Sequence, residues 1–286
     1  MNIKVIAIDI DGTLLTDKGK ILDDTRDAII QAQEKGIKVI LATGRAPSAT
    51  FFYAQQLKLD EYGQHIICFN GCVIYDLKTK KNIWNAHLNE EDTKYIYEII
   101  KKYDLNFWGY GLKNSSYTRK KSVAIMREAK INPKYKLKIL SDRQSLPACY
   151  TLTISLDELE DKICENFKIE IEANERIRTT SSSLEKYQYL EIMPANFDKS
   201  KALKFLVNKW YLKLKNCMAI GDSLNDYEML QKVGLGIMMK NGHSDLIKVS
   251  TDMCDSNNEN GVGKAILKYI LNNIDENKRK KENDED

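Results

Sequence analysis

Two rhythms of apolar residues alternate along the chain. Short apolar runs, at 5–8 and, broken only by Lys38, at 37–42, are the pattern of strands buried on both faces. Between them Ala28, Ile29 and Ala32 mark one face of a helix running to Lys35. Asp24 or Thr25 is its expected N-cap, and Gly36 sits just past its end. Pro47 suits the first turn of a second helix. Residues 66–69 read as a third strand ending at Asn70-Gly71, and 72–75 continue as strand. Strand, helix, strand, helix predicts a parallel sheet with crossover helices.

From about residue 83 the texture changes. Asn89-Glu90-Glu91 opens a helix through Tyr103, with Tyr95, Ile96, Ile99 and Ile100 at helical spacing. A Lys-rich, Tyr-containing region follows as far as Lys138. Residues 149–155 alternate like a half-exposed strand, 157–167 read as a helix, and 169–171 and 176–180 as further strands. The first rhythm returns at 189–194, followed by a helix at 199–212, strands at 218–220 and 235–239, and a last helix at 262–271. The expected organisation is a discontinuous core, 1–85 and 189–274, an α+β unit inserted at 86–188, and a charged, solvated tail at 275–286.

Composition narrows the function classes. The 286 residues carry a net charge of only +3, with both signs interspersed, so neither nucleic acid nor a membrane surface is an expected partner. No long uncharged apolar stretch suggests a membrane span, and no secretory leader is expected ahead of the first strand. The expected location is cytoplasmic, as a monomer or weak dimer. The six cysteines form no C-x-x-C pair and the three histidines are scattered, a pattern of buried thiols rather than a zinc site.

The chemistry gathers where the apolar runs stop. Asp9-Ile10-Asp11-Gly12-Thr13 ends the first run with two carboxylates at a buried strand end, costly unless something cationic meets them. A divalent metal with oxygen ligands is the expected partner, Mg²⁺ first. Thr43-Gly44-Arg45 ends the second run, a hydroxyl and backbone N–H groups ahead of a helix N-terminus, which suits an anion. Lys199, with Lys201 as a rival, opens a later helix. Gly221-Asp222-Ser223-Leu224-Asn225-Asp226 ends another strand. Gly261-Val262-Gly263-Lys264 lacks the first glycine and the final hydroxyl of a P-loop and reads as a helix start.

Taken in this order, DIDGTLL, T-G-R, Lys199 and G-D-x-x-N-D resemble the motifs of the haloacid-dehalogenase-like (HAD) phosphohydrolases. Asn70-Gly71, the central insertion and Glu191-Ile192-Met193-Pro194 are similar to the Cof-type, or type IIB, members. Ser200 departs from the glycine common after the family lysine, and Met239-Lys240-Asn241-Gly242 from its small-residue loop. The resemblance implies an α/β fold: a Rossmann-like parallel-sheet core with an inserted α+β cap of the C2B type. It implies Asp9 as nucleophile and Asp11 as acid/base. It gives Asp9, Asp222 and the Asp11 carbonyl as ligands to Mg²⁺, and the Ile10 N–H, Thr43, Gly44, Lys199 and Asn225 as phosphate contacts. Asp226, Arg45, Asn70 and Gly71 support them. The implied activity is hydrolysis of a small phosphorylated metabolite, sugar phosphates foremost, through an aspartyl-phosphate. A phosphotransferase or phosphomutase with the same residues, and a non-catalytic phosphometabolite sensor, are the alternatives. Lys120, Lys121 and Arg127 are candidate substrate contacts in the cap.

Overall fold

The computed structural model describes residues 2–155, 161–184 and 187–272. The chain begins with β1 (Val5–Ile8), α1 (Asp23–Glu34), β2 (Lys38–Ala42) and α2 (Phe51–Gln56). Then come β3 (His65–Cys68), β4 (Val73–Asp76) and β5 (Lys81–Asn85). The middle holds α3 (Glu90–Lys102), β6 (Trp108–Gly111), β7 (Ser115–Thr118), α4 (Val123–Ile131), β8 (Lys136–Ile139) and β9 (Cys149–Ser155). It continues with α5 (Asp161–Glu172), β10 (Ile177–Leu184) and β11 (Tyr187–Pro194). The last part holds α6 (Lys199–Lys209), β12 (Cys217–Gly221), α7 (Tyr227–Lys232), β13 (Leu235–Met239), β14 (Asp252–Cys254) and α8 (Gly261–Ile266).

Two sheets result. The first runs β14-β13-β12-β1-β2-β3-β4-β5 and is parallel from β14 to β3. Its central strands are buried on both faces, as their apolar runs require. In β1, Ile6 and Ile8 join one apolar cluster while Val5 and Ala7 join the other. The second sheet runs β10-β11-β9-β6-β7-β8 and is antiparallel except for β7 with β8. One face carries Leu152, Ile154 and Ile192 against Ile96, Ile100, Phe167 and Ile171 of α3 and α5. Strand alternation therefore sends Thr153, Ser155 and Glu191 to the other face, which lines a pocket over the carboxyl ends of β1 and β2.

Several local expectations change. Helix α1 starts at Asp23 with Leu22 at its N-cap, so Asp24 and Thr25 lie inside the first turn; the Thr25 hydroxyl donates instead to Asn260 Oδ1. Of residues 72–75, 73–75 are strand as expected, within β4, but the direction changes before them. A turn at Phe69–Gly71 reverses the chain, and β4 pairs antiparallel with β3. Residues 169–171 are the last turns of α5, not a strand. Strand 149–155 alternates as expected, but Thr151 is 1 % exposed, so its polar face is covered. The run 189–194 belongs to β11 of the second sheet. The expected tail at 275–286 and the start of the 157–167 helix lie outside the described residues. No helix among the described residues is long and apolar enough to cross a membrane.

Candidate functional site

The two central parallel strands deliver the acidic groups. β1 ends at Ile8, so Asp9 and Asp11 emerge past the sheet edge. Gly12 then turns the chain at φ +78°, and a Cβ there would meet the Asp222 carboxylate at 2.4 Å. β12, hydrogen-bonded beside β1, ends at Gly221 and presents Asp222, Asn225 and Asp226 at the same edge. Helix α6 supplies Lys199 from its first turn, below a cap in which the Asp198 carboxylate accepts from the Lys201 backbone N–H at 2.9 Å.

Lys199 is the buried pivot. Its side chain is 0 % exposed, and its ammonium donates to Asp9 Oδ1 at 2.6 Å and Asp226 Oδ1 at 2.8 Å. Its rival Lys201, two residues on in the same turn, is half-buried, and it is the Lys199 ammonium that sits between Asp9 and Asp226. Asp226 Oδ2 accepts the backbone N–H groups of Asp222 and Ser223, at 3.1 and 3.2 Å. Asp222 accepts from Thr13 Oγ1 at 2.6 Å and Ser223 Oγ at 2.9 Å.

Asp9, Asp222 and Asp226 are all buried, with ligand oxygens within 4.8 Å of one another. One ammonium faces three carboxylates. Burial drives the Asp9 carboxyl well above its ordinary value; Lys199 opposes this, while Asp226, Asp222 and Asp11 add to it. Burial and Asp226 push Asp222 up to about 7. Lys199 goes up despite its burial, because Asp226 and Asp9 hold its proton. The cluster is short of positive charge and offers only oxygen donors, so a hard divalent cation such as Mg²⁺ fits it.

The remaining candidates stand around this centre. Arg45 grips Asp11 with two donors, Nε to Oδ2 at 2.7 Å and Nη2 to Oδ1. Thr43 is buried and its hydroxyl accepts the Arg45 backbone N–H at 3.1 Å. The helix N-terminus expected behind Thr43-Gly44 is displaced: a short turn at Pro47–Ala49 intervenes and α2 begins only at Phe51. The groups available for an anion there are a hydroxyl and local backbone N–H groups. Asn225 Nδ2 donates to Asn70 Oδ1 at 3.1 Å, and Asn70 in turn donates to Glu191 Oε2. Gly71 (φ +98°) packs against the start of α6 so closely that a Cβ would stand 2.2 Å from the Asp198 carbonyl oxygen. The Ile10 side chain is buried in the core.

Thus Asp9, Asp11, Thr43, Gly44, Arg45 and Asn225 line one pocket, with Lys199, Asp222 and Asp226 beneath its floor. The proposed cap contacts do not join them. Lys120 is exposed and pairs with Asp104, while Lys121 and Arg127 are exposed outside the pocket. Lys240 is exposed too; its neighbour Asn241 donates to the Gly12 carbonyl at 2.8 Å. The second sheet and α4 contribute Trp108, Tyr110, Glu128 and Asn132, none of which a sequence motif marks. Their signal is the pair Glu128 and Asn132, four apart at the end of a helix.

Known proteins resemble this chain over nearly its whole length. A family model described as haloacid dehalogenase-like hydrolase matches residues 6–266. The 5-amino-6-(5-phospho-D-ribitylamino)uracil phosphatase YcsE of Bacillus subtilis is 30% identical over 279 residues, covering 95% of this chain and 97% of its own. A phosphoglycolate phosphatase of Methanobrevibacter smithii is 27% identical, covering 95% and 100%. Among solved structures, a haloacid dehalogenase-like hydrolase from Bacteroides thetaiotaomicron aligns with TM-score 0.76 at 26% identity, over 93% of this chain and 99% of that one.

Proposed function

The chain belongs to the haloacid dehalogenase-like hydrolases, and from that premise we propose that it is a Mg²⁺-dependent phosphatase of a small phosphorylated metabolite, working through an aspartyl-phosphate. The observation that carries the reading is the Asp9–Lys199–Asp226–Asp222 cluster at the carboxyl ends of β1 and β12.

Asp9 is the nucleophile: a carboxylate needs no base to attack phosphorus once its charge is balanced. Lys199 balances part of it at 2.6 Å. Asp9 and Asp222 would hold Mg²⁺, with Asp226 orienting Asp222 through its backbone N–H. When bound, the ion supplies charge neutralisation to the phosphoryl oxygens and the carboxylates. Asp11 gives a proton to the departing alkoxide and later takes one from the attacking water; its two-donor pair with Arg45 favours the carboxylate form, so that pair has to loosen for Asp11 to carry the proton. Thr43, Gly44, Lys199 and Asn225 surround the phosphoryl oxygens as charge builds on them. The second sheet covers the pocket as a cap and keeps bulk water from the charged groups.

The relatives' named substrates, a phosphorylated ribitylaminouracil and phosphoglycolate, support a small phosphomonoester. Phosphate release from a panel of such esters tests the reading. Turnover is expected with Mg²⁺ and is expected to vanish in EDTA; undiminished turnover in metal-free buffer refutes it.

A further inference from the structure

Across the pocket from Asp9 and Asp11 stands a wall built from β6 and α4. Tyr110 Oη donates to Glu128 Oε2 at 2.9 Å. The Asn132 amide nitrogen donates to Tyr110 Oη at 2.7 Å and to the same carboxylate oxygen at 3.3 Å. Both acceptors face the amide nitrogen, which fixes the amide orientation. The Asn132 amide oxygen is then left over. It is buried and has no partner among the described residues, in a side chain that lines the pocket. A buried acceptor without a donor costs free energy that a ligand hydroxyl would return.

The charges of the wall point the same way. Asp9, Asp11, Glu128 and Glu191 line the pocket, and Arg45 is the only basic residue among the described ones that do. Two of its donors are committed to Asp11. Lys199 lies below the floor, between Asp9 and Asp226. Burial already holds the Glu128 carboxyl above its ordinary range, against the Tyr110 hydrogen bond and the Arg45 charge. A second anion arriving with the substrate would meet four carboxylates, with the Trp108 Nε1–H as an unpartnered neutral donor and, among the described lining residues, no cation except Arg45, whose charge is already paired with Asp11.

Resting on the phosphatase reading, we propose that Glu128 and Asn132, locked together by Tyr110, select the leaving group of the substrate. A neutral alcohol that donates hydrogen bonds, such as a polyol or sugar, is accepted; a leaving group bearing its own carboxylate or phosphate is rejected. Trp108 and Tyr110 beside them offer apolar surface to the carbon face of such a ligand.

Glycerol phosphate and phosphoglycerate make a matched pair, since they differ by a hydroxymethyl group against a carboxylate. The test measures kcat/KM with Mg²⁺, and Kd by calorimetry, for both esters. The full chain and its Glu128→Gln and Asn132→Leu variants are compared. The unaltered chain is expected to favour glycerol phosphate by about tenfold or more, the size of one partly screened close charge interaction. Glu128→Gln is expected to shrink that ratio by about tenfold, and Asn132→Leu to raise KM for glycerol phosphate more than it lowers kcat. A ratio near one in the unaltered chain, or a ratio that Glu128→Gln leaves in place, overturns the proposal. Binding preference without turnover removes the phosphatase reading and keeps the wall; turnover without preference does the reverse.

Discussion

Replacing Lys199 by methionine keeps the length of the side chain and removes the only cation among the described residues in contact with Asp9 and Asp226. The ammonium makes two ionic hydrogen bonds, at 2.6 and 2.8 Å, inside a side-chain environment that is 0 % exposed on the lysine and 0 % on Asp226. At an effective dielectric of about 20 each contact is worth roughly 6 kcal/mol in Coulomb terms, most of it offset by desolvation. Breaking such a buried pair leaves unpaired charge and costs about 3–5 kcal/mol. In a chain of this size that corresponds to a fall in Tm of roughly 5 °C or more. The assay is thermal melting in EDTA at pH 8 and pH 5, with and without Mg²⁺. The deficit is expected to be largest at pH 8 in EDTA. It should shrink at pH 5, where the carboxylates take up protons, and in Mg²⁺, where the ion replaces the lost charge. Adding Asp226→Asn to Lys199→Met should restore part of the loss, because it removes one of the stranded charges. A Lys199→Met protein that melts within about 1 °C of the parent in EDTA at pH 8 would refute the reasoning, as would a double variant less stable than the single one.

The other expectations concern the same edge of the sheet. Gly71→Ala puts a Cβ at 2.2 Å from the Asp198 carbonyl oxygen at a φ of +98°, so urea unfolding should show a loss of about 2–4 kcal/mol from backbone strain and overpacking. Stability of the metal-free chain should fall as pH rises between about 4 and 7. Asp222 is pushed up to about 7 from an ordinary 3.8 by burial and Asp226, so in that window the folded state holds a proton the unfolded state has released. Melting against pH in EDTA, referenced to Asp222→Asn, isolates this slope, and saturating Mg²⁺ should flatten it; a referenced Tm that rises across the window contradicts the assignment.

Much of this molecule is legible in its sequence, because its parallel strands are apolar runs that stop where the chemistry starts. Asp9, Thr43 and Asp222 each follow such a run by a single step or two, so local pattern alone places them at one edge. Lys199 is different. Its ammonium meets Asp9 across 190 positions of chain, and only the order of motifs, not local pattern, hints at that pairing. Residues 169–171 mislead because Ile-Glu-Ile mimics strand alternation. Their true period is helical: Phe167 and Ile171, four apart, are 0 % exposed while Ile169 is 69 % exposed. The run 189–194 is a genuine strand, but an apolar run does not say which sheet it joins; pairing with β9 and β10 decides that. Glu128 and Asn132 stayed invisible because a carboxylate and an amide on an otherwise solvated helix look like surface until Tyr110 is folded against them.

The central claim is that Asp9 carries the phosphoryl group. The direct measurement is acid quenching of the enzyme during turnover of an ester with a radiolabelled phosphoryl group, followed by peptide mapping, for the parent and for Asp9→Asn. The expected result is an acid-stable, hydroxylamine-labile label on the peptide holding Asp9, absent from Asp9→Asn, which should also fail to turn over. An Asp9→Asn protein that releases phosphate within about tenfold of the parent rate, or a label that persists in it, would contradict the account.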